Sequence, residues 1–530
     1  MTPSALWKRL QEARALVLAC ALVAAALAAL WLAVAPPTPD LAAQVYRADL
    51  FSAHGFTAWE NQWFGGHHVL GYSLLFPELA AWLGARVVGV LVAPVAAALF
   101  AWLLSEWDPR RARGPALWFA VGTAGELMIG RITFALGTAI GLAALVALQR
   151  RHAALAVALA ALCAAASPVA GLFLALAGIA LALSAATAPI PAISLAAAAV
   201  VVDVVMALAF PEGGAEPFGT TAAALVVAIA VGIVATADER HRALRYGALL
   251  YAAGTLAAYA LPTAMGSNAT RLAAIFAGPA LLAAARPRLR GPAIALLAIP
   301  LALYEGWGPV REVKKGASDP SVHAAYYQPV AAFLATHNDR PARLEVPFTR
   351  AHWESVYLAR RYPLARGWEG QLDVKYDDLF HHRTLSASAY RAWLDQLGVR
   401  WVAVPDVALD PSGKPEARLI ASGLAYLALR QQKSHWSVYE VTHSQPLASG
   451  AGRIDSLNPT SFSITAYRPG TIRLKIRFTP YWAITRGNAC IERTSDSFTE
   501  VAAKQAGQIH VAVRFALGRI GATSPRCGGT

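Results

Sequence analysis

Charge is what this sequence has least of: Asp, Glu, Lys and Arg together make up 15% of 530 residues, against 56% hydrophobic. A chain that apolar is not an ordinary water-soluble protein of its length, and lipid must be part of its solvent. Cysteine is scarce, with 4 in the whole chain, and no pair has the spacing of a zinc site. There is no glycine-rich phosphate loop with its lysine and no clear nucleophile motif, which disfavours nucleotide-driven transport. The basic residues divide between short loops and the C-terminal part instead of forming one stripe, so no nucleic-acid role is expected.

Apolar stretches of bilayer-crossing length recur from Ala15 to about Tyr304, after which the composition turns polar and aromatic. The expected fold is a polytopic α-helical membrane bundle of about eleven spans. These fall at residues 15–35, 86–104, 116–130, 132–149, 153–166, 169–185, 192–210, 219–236, 246–262, 271–285 and 291–304. The bundle occupies 1–304 with a long first external loop at 36–85; an extracytoplasmic α/β domain is expected at 305–445 and a β-sandwich-like module at 446–530. The first apolar run follows Lys8, Arg9 and Arg14 as a signal peptide would. Its length and the exit Pro36-Pro37-Thr38-Pro39 read better as a retained anchor.

Every second loop is basic: Lys8, Arg9 and Arg14; Arg110, Arg111 and Arg113; Arg150 and Arg151; Arg240, Arg242 and Arg245; Arg286, Arg288 and Arg290. Among the other short loops only Arg47, Arg131 and Arg271 appear. The positive-inside rule then puts the N-terminus in the cytoplasm, and an odd helix count puts everything after Tyr304 outside. The net charge of +14 thus has two origins, because the C-terminal part carries its own basic excess. That excess either attracts anionic lipid or polymer or is simply a solvated surface. Cys20 and Cys163 fall in apolar helices as packing residues, whereas Cys490 and Cys527 share the expected external domain, where a disulfide would persist.

The first external loop concentrates functional groups: Asp40, Gln44, Tyr46, Arg47, Asp49, His54, Trp59, Glu60, Asn61, Trp63, His67 and His68. Asp40 emerges directly from the first span, and Leu41 to Leu50 places Asp40, Gln44 and Arg47 on one helical face. A carboxylate there suits removal of a proton from a hydroxyl. Trp59 to Leu83 reads as helices lying on the membrane, since Trp and Tyr prefer the interface and Pro77 and Glu78 sit badly in mid-bilayer. The plain alternative is an aromatic belt. The turns Gly125 to Gly137 and Met265 to Leu272 offer Glu126, Arg131, Asn268 and Arg271. An arginine at that depth either forks onto a phosphate or snorkels. Asp203, in mid-span, is first a bundle contact.

This architecture resembles the class C glycosyltransferases, membrane enzymes that use polyprenyl-phosphate sugars, in their bacterial cell-envelope branch. The likeness covers the whole chain in layout and rests locally on Asp40 after the first helix, the segment Trp59 to Gly66, and the turns GRITFALG and GSNATRL. It implies an inverting transfer from a polyprenyl-phosphate donor to a glycan or lipid-linked envelope acceptor at the outer face of a bacterial inner membrane. Asp40, or Asp49 as second candidate, is the implied base. Arg271, Arg131, His67 and Asn268 would hold the donor phosphate, and Trp59, Glu60, His68, Trp368 and Glu369 the substrates. The paired Asp-Glu found in some branches at the first position is lacking. Carboxylate and imidazole among Asp40, Asp49, Glu60, His67 and His68 suit Mg, Mn or Zn, but no spacing is diagnostic and a metal stays optional.

Beyond Glu305, Val322 to Thr336 has a helical pattern, and Ala342 to Pro347 and Val399 to Val404 read as strands of an α/β unit. The insert His352 to Leu379, with His352, Trp353, Glu354, Arg366, Trp368, Glu369, Asp373 and Asp377, has the density of a sugar-contacting loop. Its plain alternative is a polar surface. After Gly450, SFSITAY, TIRLKIRF, YWAITR and HVAVRFAL alternate with period two as strands of a sandwich, assigned to acceptor recognition. Two other functions stay open: an envelope lipid or polysaccharide transporter or flippase, and a non-catalytic envelope-binding scaffold. The first lacks convincing internal repeats; the second predicts that the first-loop carboxylates are dispensable.

Overall fold

The structure, a computed structural model, describes residues 3–106, 109–286, 291–382 and 384–528; Arg288 and Arg290, and the Arg110 side chain, lie outside the described residues. The chain forms two compact units, Met1–Gln44 with Tyr72–Met206 and Gly214–Ala317, and Val45–Gly71 with Ala207–Gly213 and Ser318–Thr530.

The first unit is helical. It holds α1 (Pro3–Val34), the start of α2 (Pro39–His54), α3 (Phe76–Leu83), α4 (Ala85–Ser105), α5 (Pro109–Ile129), α6 (Ile132–Gln149), α7 (Ala153–Ala166), α8 (Pro168–Leu183), α9 (Pro189–Ala209), α10 (Thr220–Thr236), α11 (Arg242–Ala260), α12 (Thr270–Ala284) and α13 (Gly291–Ala317). Ala and Leu dominate these runs, the best helix formers available, and every backbone group of a lipid-exposed segment must be bonded within it. Each expected span coincides with a helix. Five of these helices, Trp7–Val34 of α1 with α4, α6, α9 and α13, are long and apolar enough to cross a membrane. The protein is therefore a membrane protein. Helix α7, at 14 residues, is only about 21 Å long, short of the roughly 30 Å hydrocarbon core. Small side chains let helices approach closely: Ala156, Ala160, Cys163, Ala164, Ala192 and Ala199 are buried in one cluster. The composition break at Tyr304 does not end a helix, because α13 continues to Ala317 and closes on Lys314 and Lys315.

The second unit is strand-rich. Residues Trp59 to His68 do not form the expected interfacial helix. They make a hairpin of β1 (Trp59–Glu60) and β2 (His67–His68), paired Trp59 to His68 and Glu60 to His67. Phe64, Gly65 and Gly66 all have positive φ, which reverses the chain and forbids helix there. Only α3 in that stretch is helical.

A four-stranded sheet follows, ordered β3 (Arg343–Glu345), β4 (Val399–Pro405), β6 (Trp436–Val441) and β5 (Leu427–Lys433), with β3 parallel to β4 and the rest antiparallel. Its helices are α14 (Gln328–His337), α15 (Glu354–Tyr357), α16 (Gly370–Tyr376), α17 (Ala387–Leu397) and α18 (Lys414–Ala421). The helix expected from Val322 begins only at Gln328, after two 3-10 turns, with Pro329 in its first turn where a missing N–H costs nothing.

The C-terminal strands are β7 (Ala448–Gly450), β8 (Gly452–Asn458), β9 (Ser461–Ala466), β10 (Gly470–Arg477), β11 (Trp482–Arg486), β12 (Ala489–Arg493), β13 (Phe498–Ala503), β14 (Gly507–Val513) and β15 (Arg526–Gly528). They form sheets ordered β15-β12-β13-β10-β7 and β11-β14-β9-β8. Alternate residues point inward, as Phe462 and Ile464 on β9 and Ile472, Leu474 and Ile476 on β10 show, and one apolar core results. Cys490 and Cys527 sit opposite one another on β12 and β15 and are disulfide-bonded.

Candidate functional site

The first unit gathers charge where α2 begins. Helix α5 ends at Gly130, whose positive φ lets its N–H reach the Leu127 carbonyl at 3.0 Å while the Arg131 N–H reaches that of Glu126 at 2.9 Å. This is the Schellman arrangement, and it delivers Arg131 at the exit of the helix. A side chain at position 130 would lie 2.7 Å from the Leu41 backbone nitrogen, so only glycine permits this approach to α2. Gln44 completes the join: its carbonyl oxygen accepts from the Thr133 N–H at 2.9 Å and hydroxyl at 2.8 Å, and its amide donates to the Gly130 carbonyl.

Within that frame Arg131 Nε donates to Asp40 Oδ2 at 3.2 Å, and both side chains remain partly accessible, at 23% and 31%. Arg271 enters from the first turn of α12. The Tyr251 hydroxyl holds that turn, donating to the Ala269 carbonyl at 2.6 Å and accepting from the Ala273 N–H at 3.2 Å. Arg271 lies within electrostatic range of Asp40, Arg131, Glu126 and Tyr72, and its Nε is buried without a hydrogen-bond partner. Glu126 Oε2 is likewise buried and unpartnered. Glu216, which the sequence reading did not single out, accepts from the Ser267 hydroxyl at 2.8 Å. Burial holds its carboxyl above the usual range, against the pull of Ser267 and Arg271. Asn268 spends its amide on the Ala264 carbonyl at 3.0 Å, fixing its own turn.

Beside this cluster the bundle lines an open apolar cavity of about 360 Å³, with Phe134, Leu142, Phe173, Tyr251 and Leu272 among its walls. It follows α12 from Leu272 to Ala283, about 16 Å of helix. The Arg271 guanidinium lies 5.6 Å from the centre of the Phe134 ring, so one side chain borders both the cavity and the charged group.

The other expected site residues belong to the second unit, where Trp59, Glu60, His67 and His68 are buried, Trp368 and Glu369 are half-buried and Asp49 is accessible. Both oxygens of Glu60 are used: Oε2 accepts from the Tyr46 hydroxyl at 2.8 Å and the Gln62 N–H at 2.6 Å, and Oε1 from the Trp63 N–H at 3.0 Å. His67 Nδ1 lies 2.9 Å from Glu60 Oε1, and the rings of Trp63 and His67 stack. Burial opposes protonation of His67, but the Glu60 carboxylate outweighs it and raises the imidazole above its ordinary range. His68 Nδ1 stands 2.7 Å from Glu212, which the paired histidine holds below the usual carboxylate range despite burial. Trp59 is buried in the sandwich core against Trp482. Asp49 pairs with Arg360 at 3.0 Å, Glu369 with Arg47, and Trp368 stacks on His352. In the insert, Arg366 makes a forked pair to Asp373 at 2.9 and 2.8 Å between the rings of Phe348 and Phe380. Among the described residues no three His, Cys, Asp or Glu side chains converge as a metal site, and of the five residues considered as ligands Glu60 and His67 pair with each other while Asp40, Asp49 and His68 pair elsewhere.

No protein-family model matches the chain, and no curated protein matches it. Fold and chemistry therefore define a class only: a membrane protein with a strand-rich domain and a charged group bordering an apolar cavity in its helical unit.

Proposed function

We propose that the protein is an inverting glycosyltransferase of the class C type, with about eleven membrane-embedded helices, a cytoplasmic N-terminus and an extracytoplasmic strand-rich domain. It moves a sugar from a polyprenyl phosphate to an envelope acceptor. The observation that supports this most is the pairing of Asp40 with Arg131 beside Arg271, whose donor is unsatisfied, next to a cavity of lipid-tail character. Arg131 and Arg271, with the Asp40 and Glu126 carboxyls near them, offer guanidinium donors that a phosphate would take up in forked hydrogen bonds.

An arriving lipid phosphate competes with Asp40 for Arg131 and so releases the carboxylate. Asp40 then takes the proton of the acceptor hydroxyl as that oxygen bonds to the anomeric carbon. The bond from that carbon to the phosphate oxygen breaks, its electron pair stays on the phosphate, and Arg131 and Arg271 stabilise the charge that grows there. The products are an inverted glycoside and polyprenyl phosphate, and Asp40 returns its proton to water. No resident metal is required by this scheme, and Asp49, His67 and the tryptophans of the hairpin take no part in it.

Incubating the purified protein with a panel of polyprenyl-phosphate sugars and envelope acceptors tests the reading. Transfer by the natural sequence and a loss of about 10²- to 10⁴-fold in Asp40→Asn is expected, the usual contribution of a general base. Transfer at the normal rate by Asp40→Asn would remove Asp40 from the role, and no transfer with any donor would favour the scaffold.

A further inference from the structure

The sandwich carries a patch that its own folding does not explain. Leaving β14, the chain exposes Phe515, Leu517 and Ile520 at 40%, 76% and 37%, interleaved with Arg514 and Arg519, and Arg526 follows on β15. From Val501 to Thr530 there is not one Asp or Glu. Arg519 and Arg526 brace the segment, donating to the Pro480 carbonyl at 3.2 Å and the Tyr481 carbonyl at 3.4 Å, while Arg514 is exposed. Exposed apolar side chains among uncompensated cations are the composition of a surface that lies in a lipid headgroup layer.

A second observation says where this patch is. The last residues of α9, from Ala207, belong to the same unit as the sandwich. The Tyr481 hydroxyl donates to the carbonyl of Ala209, the final residue of α9, at 2.6 Å. Phe210 follows, and its ring lies 5.7 Å from Phe515 and 5.9 Å from Tyr481, with Tyr481 and Phe515 5.0 Å apart. Helix α9 has 21 residues, about 31 Å, which matches the hydrocarbon thickness, so its end marks the boundary between tails and headgroups. Within the second unit, Phe515 therefore packs beside the residues that leave the last turn of α9.

We propose that Arg514–Ile520 is an interfacial anchor: Phe515, Leu517 and Ile520 enter the edge of the bilayer that α9 crosses, while Arg514, Arg519 and Arg526 meet the phosphates of anionic lipids. The anchor holds the sandwich at the membrane surface and is independent of the chemistry proposed above. Lipid, not a second protein, is the occupant, because the patch adjoins the exit of a spanning helix and carries only positive charge.

The test uses the full chain with Cys20→Ala and Cys163→Ala, leaving the bonded pair Cys490 and Cys527 untouched, in nanodiscs containing phosphatidylglycerol. A nitrobenzoxadiazole label is placed at Leu517→Cys or, as a control, at Tyr467→Cys in the turn before β10. Quenching by lipid spin-labelled near the headgroup should exceed quenching by aqueous iodide at least twofold for position 517, with the reverse at 467. Adding Arg514→Glu should reduce the lipid quenching at 517 about twofold in anionic discs and leave it unchanged in phosphatidylcholine discs. Iodide access at 517 equal to that at 467 would overturn the proposal. So would shielding from both quenchers, which would mean that protein covers the patch, and so would indifference to Arg514→Glu.

Discussion

Two groups of charged side chains draw on the same stretch, residues 36–85, and are used in opposite ways. Around Asp40, the ion pair to Arg131 is partly open and leaves Arg271 Nε and Glu126 Oε2 with unused bonding capacity beside a cavity. Around Glu60, both carboxylate oxygens are consumed, and the imidazole of His67 and the rings of Tyr46 and Trp63 are closed over by protein. What separates a candidate site from a buried brace is whether donors and acceptors remain for something outside the chain.

Breaking the brace should cost the most. Glu60→Ala strands His67, the Tyr46 hydroxyl and two backbone N–H groups in a dry interior, a loss of about 3–5 kcal/mol. Chemical unfolding followed by the fluorescence of the second unit would measure it, while polyprenyl-phosphate binding at neutral pH should survive in the fraction that stays folded. Removing the bridge with Cys490→Ser and Cys527→Ser should cost the sandwich about 3–4 kcal/mol, given a sequence separation of 37. Reduction of the natural protein should lower its melting temperature in step.

A smaller effect sharpens the contrast through pH. In the second unit burial pushes the Glu345 carboxyl well above its usual range, Glu416 to about 7 and, with help from neighbouring Asp373, Asp377 to about 8. A carboxyl whose folded pKa is raised binds more protons folded than unfolded. Its stabilising contribution is therefore complete below about pH 4 and is lost as the pH rises toward 7 to 8. Melting temperature of this unit should fall between pH 5 and pH 8, and Glu345→Gln should flatten that slope. A slope unchanged in Glu345→Gln would show that other groups govern it.

The helices of the first unit were readable from their long apolar runs, and α6 and α7 lie where those runs put them. The period-two alternation of SFSITA and TIRLKIR likewise marked β9 and β10. The short strands β7, β12 and β15 escaped, since three to five residues carry little periodicity. The hairpin at Trp59 was misread because aromatic residues signal an interface and a buried core equally well; the positive φ of Phe64 had no sequence cue, although the glycine pair after it did. For the site, Asp40, Arg131 and Arg271 were each visible at helix ends, but their convergence depends on the Gln44 bridge and the α5–α6 turn, which are long-range facts. Glu216 had only one signal, its place with Glu212 as the two acids in the loop before α10.

Titration of the full-length protein in nanodiscs with a polyprenyl phosphate, natural sequence against Arg271→Gln, decides whether Arg271 holds a lipid phosphate as proposed. A Kd at least tenfold weaker in Arg271→Gln, with an unchanged melting temperature, is expected. Equal affinity in the two proteins would contradict it.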